Sequence, residues 1–244
     1  VRAPWGWLAF AALLVPGCGD PDLWERWQAE RAFLGARRIV ERVRVQPELA
    51  TDAQWQAGER AFRRISERWP ASRWLPRSRA RGPARDVALI AGRSAIEAGR
   101  LLELRGRAGE ALEVWARAEL EWGSLPEVGL EIEVVRARAY ERMGRDRDAL
   151  EAWIRLSALP LADDPAAGVF PAVLDAPLLA ARGLAAGGRE RAADSLLELA
   201  SARYRAALRP LAGSPAAPEV LLRLSDARAS LGDLDGALAA LRAA

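Results

Sequence analysis

"GRLLELRGRAGEALEVWARA", residues 99–118, aligns without gaps on three later stretches. These are "ARAYERMGRDRDALEAWIRL" (137–156), "ARGLAAGGRERAADSLLELA" (181–200) and "SDARASLGDLDGALAALRAA" (225–244). A glycine is common to all four: Gly106, Gly144, Gly188 and Gly232. Five residues later stands an alanine (Ala111, Ala149, Ala193, Ala237), and seven earlier a small residue (Gly99, Ala137, Ala181, Ser225). Four after each alanine comes a large apolar side chain: Trp115, Trp153, Leu197 and Leu241. The pattern predicts a helical hairpin. Glycine takes a left-handed conformation at no steric cost and ends the first helix in a tight turn. The small residues allow the two helices to approach, and the large one fills the groove toward the next pair. One hairpin cannot bury its own apolar face, so such units must stack.

Strand signals are scarce from Pro21 onward. Ala, Leu, Arg and Glu dominate, and apolar residues recur three and four apart, as at Leu101, Leu104, Leu112 and Trp115. Small residue, turn glycine, alanine, then large apolar residue resembles the tetratricopeptide repeat, and Tyr140, four before Gly144, matches that family's aromatic position. A partial earlier unit, "GERAFRRISERWP", carries Gly58, Phe62, Ile65 and Pro70 at the spacing of a second helix and terminal proline. Here the repeats recur every 38 to 44 residues, against about 34 in that family. Lengthened helices or insertions such as "LPLADDPAAGVFPA" (159–172) account for the excess. The resemblance implies an all-α fold of antiparallel helix hairpins stacked as a right-handed α-solenoid. It also implies a concave face, lined by first helices, that binds a protein or peptide. The residue after each small position should face that surface: Arg100, Arg138, Arg182 and Asp226, with Glu103, Glu141 and Arg142 alongside. Three arginines at equivalent heights suit carboxylates, which guanidinium groups bind in bidentate fashion.

Composition narrows the chemistry. All 36 basic residues are arginine, with no Lys, His or Asn, as a GC-rich genome would produce. The net charge is only +3, and acids and bases are interleaved, which describes solvated helix faces and not a nucleic-acid surface. Without His there is no imidazole base, Ser-His-Asp triad or His-ligated metal. Without Lys there is no Schiff base or phosphate-loop lysine. One Cys builds neither a zinc site nor an internal disulfide. The expectation is a non-enzymatic protein with no cofactor and no metal.

Arg2 precedes an apolar run from Trp5 to Val15, too short to span a bilayer but suited to a secretory signal. The following Val15-Pro16-Gly17-Cys18 resembles the lipobox of bacterial lipoprotein signals, which implies lipidation of Cys18 as the mature amino terminus. Gly19 in place of aspartate directs the expectation to the outer membrane, facing the periplasm. Residues 1–17 are thus read as signal, 18–69 as an amino-terminal helical region with a partial repeat, 70–86 as a Pro/Arg-rich linker and 87–244 as the repeat array. The linker arginines (Arg73, Arg77, Arg79, Arg81, Arg85) are read as a solvated loop, the alternative being contact with anionic lipid headgroups or lipopolysaccharide. Trp115 and Trp153 are expected as repeat core, and Trp24 and Trp27 as core of the first helix, the alternative for that pair being contact with the membrane interface or a partner. The array stops inside a second helix with no polar cap after it, so a partner, a second copy or further sequence is expected to cover that end. The favoured function is a lipid-anchored envelope scaffold, with a role in outer-membrane assembly as its most specific form. The alternatives are the superhelical, non-catalytic part of a peptidoglycan lytic transglycosylase and a cytoplasmic adaptor.

Overall fold

The computed structural model describes residues 21–78, 82–159, 170–211 and 213–244. Cys18 and the signal stretch lie outside the described residues, as do Arg79 and Arg81 and most of the 159–172 segment. Among the described residues every regular element is helical: α1 (Pro21–Val45), α2 (Asp52–Arg68), α3 (Ala71–Trp74), α4 (Pro83–Leu104), α5 (Ala108–Trp122), α6 (Pro126–Arg142), α7 (Asp146–Ala158), α8 (Phe170–Ala186), α9 (Glu190–Leu208), α10 (Ala217–Ser230) and α11 (Leu234–Ala243), with short 3₁₀ turns at Pro47–Leu49 and Leu75–Arg77. They form two compact units, one ending at Gly129 and the other beginning at Leu130. The helices are hairpins of the tetratricopeptide-like kind, packed chiefly on helices close to them in the chain.

Four of the hairpins share one turn. Gly106, Gly144, Gly188 and Gly232 have φ of 76°, 66°, 71° and 79°, the left-handed region that favours glycine. In each turn the glycine N–H donates to the carbonyl three residues back and the next N–H to the carbonyl five back. Gly106 to Glu103 is 2.8 Å and Arg107 to Leu102 is 2.9 Å; Gly144 to Glu141 is 3.0 Å and Arg145 to Tyr140 is 2.9 Å. This pair of hydrogen bonds closes the first helix, and the residue after the glycine opens the second. Arg107 does so in the first hairpin and Asp233, whose carboxylate accepts from the Gly236 N–H at 2.9 Å, in the last.

In the first unit, α1 packs on α2 and α4, and α4 packs on α5. Thr51 and Gln54 cap α2 reciprocally: the Gln54 N–H donates to the Thr51 hydroxyl, and the Thr51 N–H to the Gln54 side chain at 2.8 Å. Gly58 lets α2 approach α1, since a Cβ there would lie 2.6 Å from Val40. Phe62, Trp69, Trp74, Trp115 and Trp122 are fully buried. The described parts of the 70–86 stretch, residues 70–78 and 82–86, expected as a linker, pack into this unit. The prolines of the stretch start elements: Pro70 precedes α3, Pro76 opens the 3₁₀ turn and Pro83 opens α4. Proline lacks only an N–H that a first turn leaves unpaired anyway. Arg73 and Arg77 stack over buried Trp74 at 5.3 and 4.8 Å and pair with Glu25 and Asp22, while Arg85 pairs with Glu127 at 2.8 Å. These three arginines are bound side chains, not a solvated loop.

In the second unit the core runs from Val134, Trp153 and Leu156 through Leu178 and Leu184 to Tyr204 and Leu224. Helix α8 begins at Phe170, so 170–172 are helical, whereas the insertion was expected to reach residue 172. Part of the extra repeat length lies in the helices themselves, with 22 residues in α4 and 19 in α9.

Candidate protein-binding face

The small positions Gly99, Ala137, Ala181 and Ser225 are buried, and the residue after each turns outward: Arg138, Arg182 and Asp226 are exposed and Arg100 is half-buried. Matched heights are explicit at one step. Arg182 on α8 and Asp226 on α10 stand 3.8 Å apart, with side chains 58% and 63% exposed. At this step the equivalent positions of α8 and α10 are neighbours on an open face. At 3.8 Å and that exposure the pair is weak.

In the first unit Arg100 pairs with Glu97 on its own helix, and Glu97 also takes Arg44 from α1. Arg100 is thereby tied to the interior more than Arg138 or Arg182. Glu103 is half-buried on α4, and Arg142 lies exposed in the last turn of α6. Glu141 accepts from the Trp153 indole N–H at 2.7 Å, fixing that ring against α6.

The repeat positions behind this face are packed. The Trp115 ring lies on Gly99, and its N–H donates to the Ile96 carbonyl at 3.0 Å. Trp153, Leu197 and the four alanines Ala111, Ala149, Ala193 and Ala237 are buried. Leu241 differs. It is 47% exposed, with Leu234 and Leu238 beside it, because no described helix packs on the far side of α11. The first helix departs further: Trp24 and Trp27, expected in its core, are 59% and 45% exposed. The buried side of α1 is made by Ala29, Ala36, Val40 and Val43 instead.

One polar centre escaped sequence reasoning. Asp175 on α8 is buried and accepts from the Tyr204 hydroxyl at 2.9 Å and from Arg223 on α10 at 2.5 Å; Arg223 also reaches Glu219 at 2.9 Å. Burial raises the Asp175 carboxyl above the usual aspartate range, outweighing the pull of Tyr204, Arg223 and the nearby Arg138. Burial, with the Asp175 charge beside it, likewise pushes the Tyr204 hydroxyl up, so that it stays a donor. The signal in the sequence was a lone acid inside the apolar run "FPAVLDAPLLAA". Its partners stand 29 and 48 residues downstream, beyond any local pattern.

Among the described residues no group of three or more His, Cys, Asp or Glu side chains could hold a metal ion, and no helix is long and apolar enough to cross a membrane. No family model matches the chain, and no curated protein matches it. Among solved structures it is similar to a Podosopora anserina putative kinesin light chain with nearly identical TPR-like repeats. The identity is 20%, covering 89% of this chain and 95% of that one, with a TM-score of 0.51. A single-substitution variant of that protein gives the same identity and TM-score over 89% and 93% of the two chains. A structure of MamA aligns over 78% of this chain and 86% of its own at 13% identity, with a TM-score of 0.40. The likeness to the first two is one of fold: all-α, helix hairpins stacked as a tetratricopeptide-like solenoid.

Proposed function

We propose that this chain is a non-catalytic scaffold that binds an acidic protein or peptide segment along the first helices of its hairpins. The observation that supports this reading is the exposed Arg182–Asp226 contact, which brings the equivalent positions of α8 and α10 together, with Arg138 exposed at the corresponding position of α6. The absence of His and Lys from the sequence supports a binding role over a catalytic one. The test uses a set of Glu- and Asp-rich peptides with their Gln and Asn analogues as controls. Arg138→Ala and Arg182→Ala should each weaken acidic-peptide binding about tenfold, the scale of one charge-assisted contact. Neither should move the urea midpoint, since both side chains are exposed. Equal binding by wild type and both variants would sink the reading.

The scaffold's location belongs to the same proposal: the bacterial envelope, attached through acylated Cys18 to the outer membrane and facing the periplasm. Its support is the sequence Val15-Pro16-Gly17-Cys18 after the apolar run. Intact mass of the membrane fraction should find a chain beginning at Cys18 and carrying acyl mass. An unprocessed chain in the soluble fraction refutes it.

A further inference from the structure

The outward side of α1 carries exposed apolar groups along the length of the helix. At 100° per residue, Leu23, Trp27, Leu34 and Val45 fall within about 40° of one another, on the side opposite Ala29, Ala36, Val40 and Val43. Leu23, Leu34 and Val45 are 44%, 53% and 69% exposed, and the Trp27 ring stacks on the exposed Trp24 at a centroid distance of 4.8 Å. Among these apolar groups stand two exposed arginines, Arg38 and Arg31, the latter 5.2 Å from the Trp27 ring centre. The acids of the helix's first half are engaged elsewhere. Asp22 holds Arg77, Glu25 accepts from the Trp69 indole at 2.8 Å, and Glu30 pairs with Arg26. Glu41 is the acid left on this side.

From this we infer that the outer face of α1 lies on an anionic phospholipid surface. Two features select lipid over a protein groove. The apolar groups are strung along about 33 Å of helix axis, a line that suits a planar interface more than a compact pocket. The charges beside them are predominantly positive, complementary to anionic headgroups, with tryptophans of the kind that settle at the membrane boundary. The contact adds to any acyl chain on Cys18 and does not require one.

The full chain with Cys18→Ser removes acylation from the experiment. It is incubated with vesicles of phosphatidylcholine alone or of phosphatidylcholine mixed with phosphatidylglycerol, and binding is read by co-sedimentation. It should bind the anionic vesicles and bind the neutral ones far less. Adding Trp24→Ala and Trp27→Ala should weaken anionic binding at least about tenfold, the loss expected from ring burial forgone. Arg31→Glu with Arg38→Glu should abolish the preference for phosphatidylglycerol. All variants keep residues 1–17, so any affinity of that apolar run cancels, and unchanged helicity verifies that each has folded. Binding unaffected by either pair overturns the inference. So does a dimer in free solution that the tryptophan pair abolishes, which would make a second copy the occupant. Failure here leaves the acyl mass at Cys18 as a separate result, so the two membrane readings fall independently.

Discussion

Gly99 and Gly109 stand on either side of the same turn, yet replacing each with alanine should have opposite effects. A Cβ on Gly99 would collide with the Trp115 indole nitrogen and lie within 2.8 Å of two further ring atoms. That ring is fully buried and held by its bond to the Ile96 carbonyl, so it has nowhere to retreat. Gly99→Ala should cost about 1–3 kcal/mol, as overpacking does. Gly109 sits exposed in the first turn of α5 with nothing within 4 Å of a Cβ. Gly109→Ala should add about 0.5 kcal/mol by narrowing the unfolded ensemble. Urea denaturation of the two variants checks both signs; a neutral Gly99→Ala would mean the α4–α5 contact yields more than these distances allow. Residues differ in how much of this they announce. A turn glycine or a contact glycine leaves a mark in the sequence, because no other residue satisfies the position. A tryptophan leaves one only through its register: Trp115 stands four after Ala111 as the repeat requires, whereas no such register marks Trp24. For Trp24 the packing partners of α1 alone decide that it is exposed.

Helix α8 carries a proline where a helix normally donates a hydrogen bond. Pro177 has no N–H for the carbonyl of Val173, four residues earlier. That carbonyl instead accepts from Arg203 on α9 at 3.1 Å, while the same guanidinium donates to the carbonyls of Ser157 and Leu159 at 2.6 Å each, at the end of α7. One buried arginine thus serves three helices: it stands in for the missing bond of α8 and caps the carboxyl end of α7 from α9, with the favourable sign for a cation at that end. Burial lowers its pKa, though not enough to discharge an arginine. Arg203→Ala should therefore be among the most destabilising changes in the second unit, about 2–4 kcal/mol, since it strands buried carbonyls. The two positions should also be coupled. With Pro177→Ala in the background, residue 177 regains an N–H for Val173, and the cost of Arg203→Ala should fall by about 1 kcal/mol. Strict additivity in the double-mutant cycle would show that the Val173 contact contributes nothing. The hairpin boundaries at this scale were legible, because turn, alanine and large residue recur in register. Arg203 was not. It is one arginine of 36, and its three acceptors are backbone atoms brought to it by α7 and α8.

At the scale of the whole chain, the two units each own a core, and their probes are unequally shared. Of the ten tryptophans, only Trp153 follows residue 129. Trp55, Trp69, Trp74, Trp115 and Trp122 are all buried within the first unit, whereas the second is closed by small and aliphatic side chains around Tyr204. Tryptophan fluorescence therefore follows the first unit almost alone, while far-ultraviolet circular dichroism follows the helices of both. Stability in stacked repeats is a sum of local terms, and cooperativity over 244 residues need not survive denaturant. The expected result is two non-coincident urea transitions, each with an m-value below that of a single 244-residue cooperative block. Gly99→Ala should shift the fluorescence midpoint, and Arg203→Ala should shift the dichroism curve while leaving fluorescence nearly in place. Coincident curves that move together in both variants would mean that the chain unfolds as one, so that a defect placed in either core is felt throughout.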